Sequence, residues 1–271
     1  MSSVPVSFFL LSAVIGLLQI PSGASQCYVK PSDTSACPSM NASSTCMTLD
    51  DYAKALNSNR KNITCIDGMD VTMIFLPGKH ILKEELYIHS KTALEMVKDD
   101  AQAYDSSCHH EVEIQLYNAN ISFCMISSVT LADLMITHTG NVKSSLILNN
   151  IPWPHNDSVI LNITNVRLKR SAMKFECDNC TGEVNLSNRI FDASYADFRI
   201  ENSHDMSVVI QNVNLMLDSS QTGLAFYSLQ LNILLMDNIT TSDLNESEID
   251  ITTHKTNPTY DLHLIRLISL T

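Results

Sequence analysis

The sequence predicts an all-β chain wound as a parallel β-helix solenoid, with a short disulfide-rich cap and one helix at its N-terminal end. Three observations carry that prediction. Strand-sized runs follow one another from residue 70 onward with two to six residues between them. No long helical pattern intervenes, which excludes doubly wound α/β folds. The phrase apolar-x-Asn-(Val/Ile)-x-apolar returns at Asn120, Asn165 and Asn212, with a degraded copy at Asn238. The intervals correspond to one or two steps of roughly 23 to 26 residues, inside the solenoid range, whereas a sandwich supplies no reason for such a recurrence. Glycine is also scarce, with only seven in the chain and two of those before residue 25. Asparagine is then the available residue for corners that need left-handed backbone. Stacked coils align these side chains so that their amides bond to neighbouring turns, and the Val or Ile after each points inward.

Residues 1–24 carry no charged side chain and hold an apolar run of about 15 residues, followed by Pro21 and the small residues Ser22, Gly23 and Ala24. That is the pattern of a secretory signal peptide cleaved after Ala24, and the run is short of the ~20 residues of a spanning helix. The rest contains no segment long and apolar enough to span a bilayer, so a secreted, extracellular chain without a membrane span is expected. Residues 25–64 form the expected cap and residues 65–271 the β-helix.

All eight cysteines follow the signal: Cys27, Cys37, Cys46, Cys65, Cys108, Cys124, Cys177 and Cys180. An even number in an exported chain predicts disulfides, and four of them concentrate in the cap. In Cys177-Asp-Asn-Cys180 the central pair favours a tight turn, so a structural clip is expected rather than a redox motif. Sequons begin at Asn41, Asn62, Asn120, Asn156, Asn162, Asn179, Asn185, Asn238 and Asn245. With 22 asparagines in the chain, chance would supply about four sequons, so glycosylation at several sites is expected.

One helix is legible. Thr48 is a good N-cap with Asp51 three residues on, and Leu49, Tyr52, Ala53 and Leu56 form a single apolar stripe. The segment 91–104 is expected as a second short helix or an excursion. In residues 70–80, Val71, Met73 and Phe75 share one face before a Pro77-Gly78 turn, and later runs alternate likewise or are apolar throughout.

The series Cys46-x-Thr48-Leu49-x-x-Tyr52, then IFLPGKHIL, then a cysteine followed by EVEIQLYNANISF and SSVTLADLMI, resembles a group of extracellular invertebrate proteins. Their marks are a CxTLxxY helix, an F-L-P-G-N-H-x-L strand and turn, and a right-handed parallel β-helix of the pectin-lyase-like type. The resemblance covers residues 27 to 140 and departs from the pattern at Lys79. It implies a fold, its handedness and a compartment, but no reaction.

Enzymes of that shape that cut polysaccharides carry an NTD triplet, a DD pair, GHG and RIK on successive coils. Only Asp99-Asp100 supplies a DD pair here, in a polar stretch, and the other three motifs are absent. In Cys108-His109-His110-Glu111, neighbouring side chains on a strand point to opposite faces, which disfavours a shared zinc ion. Trp153, between two prolines, suits either ligand recognition or closure of one end of the solenoid. The net charge of −12 opposes binding to nucleic acid, anionic lipid or polyanionic sugar. No catalytic residue, cofactor or metal site is therefore assigned. The expected role is non-catalytic extracellular recognition of a protein or carbohydrate, or a structural one. The competing reading is a polysaccharide lyase or hydrolase.

Overall fold

A computed structural model of the chain describes residues 26–34, 37, 45–58, 63–99, 111–140, 145–150, 158–178, 180–192, 194–201, 206–216, 222–227, 233–241, 247–252 and 265–270. These residues form 19 strands and two helices, and all their strand pairings are parallel. The order begins β1 (Gln26–Lys30), β2 (Thr45–Thr48), α1 (Leu49–Asn57) and α2 (Thr64–Asp67). Next come β3 (Asp70–Phe75), β4 (Gly78–Leu82), β5 (Leu86–Lys98), β6 (Val112–Leu116), β7 (Ile121–Ala132), β8 (Leu134–His138) and β9 (Ser145–Asn150). They continue as β10 (Ser158–Thr164), β11 (Arg167–Lys169), β12 (Ala172–Asp178), β13 (Thr181–Asp192), β14 (Tyr195–Glu201) and β15 (Met206–Met216). The last four are β16 (Thr222–Tyr227), β17 (Ile233–Thr241), β18 (Ser247–Thr252) and β19 (Ile265–Leu270).

The pairings sort the chain into three series of registered strands, each visited once per repeat. One buried column from the first series runs Met73, Met96, Leu131, Ile163, Leu186 and Ile210, none more than 1% exposed. The second series aligns His80, Ile114, Ile136 and Leu168, and the third aligns Ile88, Phe123, Leu148 and Phe175. All of these side chains are buried, and all but His80 belong to one hydrophobic core. Each apolar rung contributes about 1.5–3 kcal/mol of burial, so the columns are the main stabilising term. The run 91–98 extends β5 as strand, not helix, because its alternate residues Leu94 and Met96 fall on this inner face.

Between the first and second series the backbone turns through a left-handed residue. Asp133 (φ 58°), Asn165 (φ 53°), Asn188 (φ 53°) and Asn212 (φ 53°) occupy that position on four successive repeats. Register carries it on to Asn238, since Gln211 pairs Asp237 and Val213 pairs Ile239. The peptide ladder is unbroken around the corner: the Asp133 amide donates to Thr164 O (3.2 Å), and the Asn165 amide donates to Ser187 O (3.1 Å). The Asn165 Nδ2 also donates to Asp133 Oδ1, so side chains bond from turn to turn as the repeat suggests. Val166, Val213 and Ile239, the residues after three of these asparagines, are buried as expected.

Two parts of the phrase reading need correction. Asn120 is not a corner: the left-handed residue in YNANISF is Asn118 (φ 55°). Asn120 instead accepts the Ser145 amide at its Oδ1 (2.9 Å), closing the gap to the next repeat. The strict phrase also passes over Asp133 and Asn188, because the corner demands a conformation and tolerates Leu134 or Arg189 next to it.

At the N-terminal end α1 packs against β2, β4 and β5. Thr48 caps it, its Oγ1 accepting the Asp51 amide (3.2 Å) and donating to Asp51 Oδ2 (2.7 Å). Leu49, Tyr52 and Ala53 are fully buried. The Tyr52 hydroxyl lies 2.9 Å from Thr45 O and 3.2 Å from Tyr28 O, and burial pushes its pKa well above the ordinary range. Asp50 Oδ1 accepts the Lys83 amide (2.9 Å), and Asn57 Nδ2 donates to Glu85 O (3.1 Å), so helix side chains satisfy backbone groups between β4 and β5. The Cys27–Cys65 disulfide spans 38 positions and stabilises by about 4 kcal/mol in the loop-entropy account. Gly78 (φ +133°) lies so near Pro31 that a Cβ would sit 2.8 Å from its ring, which explains glycine in the Pro77-Gly78 turn.

His80 replaces the aliphatic rung at the start of the second column. It is fully buried, edge-on to Phe75, with Nε2 bonded to Leu76 O (2.8 Å). Burial lowers its pKa below the ordinary 6.5. The unfolded chain therefore takes up a proton first as pH falls. Stability from this group is present above about 6.5 and declines below it, by at most about 1.4 kcal/mol per pH unit. Urea titrations from pH 7.5 to 5 should show this decline, and His80→Met should flatten it; an unchanged profile in the variant would refute the assignment. At the corner, Asn165→Ala should lower unfolding free energy by about 2 kcal/mol, combining left-handed strain with one lost hydrogen bond, and Asn165→Gly by about 1. Equal losses in chemical denaturation would mean that the backbone conformation contributes nothing.

Candidate functional site: a mixed-charge groove and a sequon-bearing face

Parallel strands aim alternate side chains outward, so each series presents a regular outer face, and each corner leaves a ridge or a groove. A groove of about 410 Å³ opens along the corner occupied by Asp133 and Asn165. Lys98 at the end of β5, Glu111 before β6, Asp133 and Arg167 on β11 supply its charges, over Val112 and Leu134. Two acids thus face two bases. Arg167 Nη2 pairs with Asp192 Oδ2 at 3.2 Å, while its Nε is buried without a hydrogen-bonding partner. The Asp133 carboxylate is engaged by Asn165. This lining suits a polar ligand carrying both donors and acceptors. Among the described residues it does not bring three carboxylates together, the arrangement that would single out a polysaccharide-cleaving site.

The second surface is the outer face of the first series. Asn162 on β10 and Asn185 on β13 stand opposite one another in register, both half-buried. Asn185 Nδ2 donates to Asn162 Oδ1 (3.1 Å) and to Glu183 Oε2 (3.4 Å), and the hydroxyls of Thr164 and Ser187 meet at 3.3 Å. The sequon residues Asn162, Thr164, Asn185 and Ser187 thus share one patch. Of the other sequons, Asn120 faces the β9 start and Asn238 continues the corner column. Asn41, Asn62, Asn156, Asn179 and Asn245 lie outside the described residues, as do Asp100, His109, His110 and Trp153. Asp99, the described half of the acidic pair, follows β5 and donates its amide to Phe75 O (2.9 Å).

The cysteines form Cys27–Cys65, Cys37–Cys46 and Cys177–Cys180. The last of these is the expected clip. Among the described residues Cys124 is a free thiol, and Cys108, the remaining cysteine, lies outside them. On β7, His89 and Asn149 flank Cys124 in register, so neither paired position holds a sulfur. A hydrogen bond to this thiol, with a smaller contribution from burial, raises the pKa of Tyr87, whose ring lies 5.4 Å from that of His89. Sequence reasoning missed Arg167 and Asp133, since a lone charge has no signature until the parallel strands align in register. Among the described residues no group of three His, Cys, Asp or Glu side chains is placed to hold a metal ion, and no helix is long and apolar enough to cross a membrane. No protein-family model, curated protein or solved structure matches the chain.

Alkylation of the native, unreduced protein followed by peptide mass spectrometry should modify Cys124 and none of the six bridged cysteines. Complete protection of Cys124 would show that it is paired.

Proposed function

We propose that the chain is a secreted glycoprotein whose three strand series close into a right-handed parallel β-helix of the pectin-lyase-like type. Residues 1–24 are then its signal peptide, 25–64 its cap and 65–271 its coil, as in the extracellular invertebrate proteins that it resembles. Its role is non-catalytic, either recognition of an extracellular protein or carbohydrate or a structural one. The observation that carries this reading is the outward, registered placement of the Asn162 and Asn185 sequons in one sheet face. A face bearing glycan is withdrawn from cleavage of a long polymer and given over to spacing or recognition. Three disulfides and the surplus of acidic over basic residues, 29 against 17, are in keeping with an extracellular chain that avoids polyanions.

The competing reading, a polysaccharide lyase or hydrolase, draws on Glu111 and Asp133 in one groove. Incubating the purified protein with neutral and acidic polysaccharides and assaying new reducing ends or unsaturated products separates the two. The expected result is no product above that of a Glu111→Gln, Asp133→Asn double variant. Turnover that this variant abolishes would establish the enzyme instead.

A further inference from the structure

Asn162 and Asn185 each open a sequon, Asn162-Ile163-Thr164 and Asn185-Leu186-Ser187, yet their amides are not equivalent. Asn185 commits both hydrogens of its Nδ2, one to Asn162 Oδ1 and one to Glu183 Oε2. A carboxylate only accepts, so Glu183 fixes which way that amide turns. Asn162 uses only its carbonyl oxygen in this contact, and among the described residues its Nδ2 has no hydrogen-bond partner. N-glycosylation forms a bond from Nδ2 to the anomeric carbon of the sugar, as that carbon leaves the pyrophosphate of a lipid-linked donor and one amide proton is released. At Asn162 this removes a proton that no described residue accepts. At Asn185 it removes one of two engaged donors.

Spacing reinforces the asymmetry. The two residues are directly paired on neighbouring strands, which are about 4.8 Å apart, too close for two sugar stems to stand side by side without displacing each other. On the opposite side Asn162 faces the smaller Thr130. Two residues before it on the same strand face, Ile160 is 39% exposed. A sugar rooted at Asn162 would lie against it.

We infer that Asn162 and Asn185 form a single glycan slot: Asn162 carries the sugar and covers Ile160, while Asn185 remains bare and orients the Asn162 amide. This rests on the secreted-glycoprotein reading above. The test is site-resolved mass spectrometry of the full chain secreted from a eukaryotic cell, using enzymatic deglycosylation in heavy-oxygen water to mark each occupied asparagine. Sugar on Asn162 with unmodified Asn185 is expected. The Asn185→Gln variant should keep its full glycan complement, and Asn162→Gln should lose one glycan and aggregate more readily. Both sites occupied on one molecule, sugar on Asn185 alone, neither occupied while other sequons are, or loss of a glycan in Asn185→Gln would each overturn the inference. A secreted chain with no sugar at any sequon would instead overturn the glycoprotein reading and the slot with it.

Discussion

Everything in this molecule depends on turning a parallel strand sharply without breaking its peptide ladder. Asp133, Asn165, Asn188 and Asn212 do this by entering the left-handed region, where short polar side chains are tolerated and most others are strained by about 1–2 kcal/mol. The turn keeps amides and carbonyls of adjacent repeats opposed, so the Asp133 and Asn165 amides still find their partners one repeat on. An unsatisfied buried peptide group would cost about as much as the strain avoided. The corner thus stabilises less by its own bonds than by keeping the strands on either side in register.

Register is what the core requires. A slip of one residue would turn the Met73-to-Ile210 column outward and, in one direction, put Thr72, Glu95, Thr130, Asn162, Asn185 and Val209 in its place. The free energy at stake in those columns exceeds any single polar contact. The N-terminal rungs have further support. There β1 and β2 extend the first series ahead of Met73. Helix α1, the Cys27–Cys65 disulfide and the buried His80 and Tyr52 supply contacts, and polar side chains of the helix bond to backbone groups between β4 and β5.

With the inward faces committed to packing, specificity is left to the outward faces and corner grooves. A β-strand offers one outward residue in two, and stacking repeats these at one strand spacing, so residues 23 positions apart become neighbours. The Asn162–Asn185 amide pair and the Thr164–Ser187 hydroxyl pair arise this way. The groove around Arg167 draws Lys98, Glu111 and Asp133 from places far apart in sequence. The two acids and two bases among its described lining residues contrast with the acidic whole.

The strand content, the helix from Leu49 with its Thr48 cap, the inward set Val71, Met73 and Phe75, and the Cys177–Cys180 clip were legible in the sequence. Each is decided by neighbours within a few residues, through side-chain alternation, capping or turn chemistry. The corner was legible only in part. Asn165 and Asn212 announced it, Asn120 pointed to a different turn whose left-handed residue is Asn118, and Asp133 and Asn188 passed unnoticed, because a single φ value leaves no mark when a residue other than Val or Ile follows. The run from Lys91 read as a short helix or an excursion until Leu94 and Met96 met Val129 and Leu131 across the ladder. By itself, then, the sequence determined an all-β-rich chain with asparagine at some of its turns and a cross-linked N-terminal region. Only the tertiary structure decided which asparagines turn the chain, which two share an outer face and why Cys124 stands apart, since these depend on register between strands that local spacing does not encode.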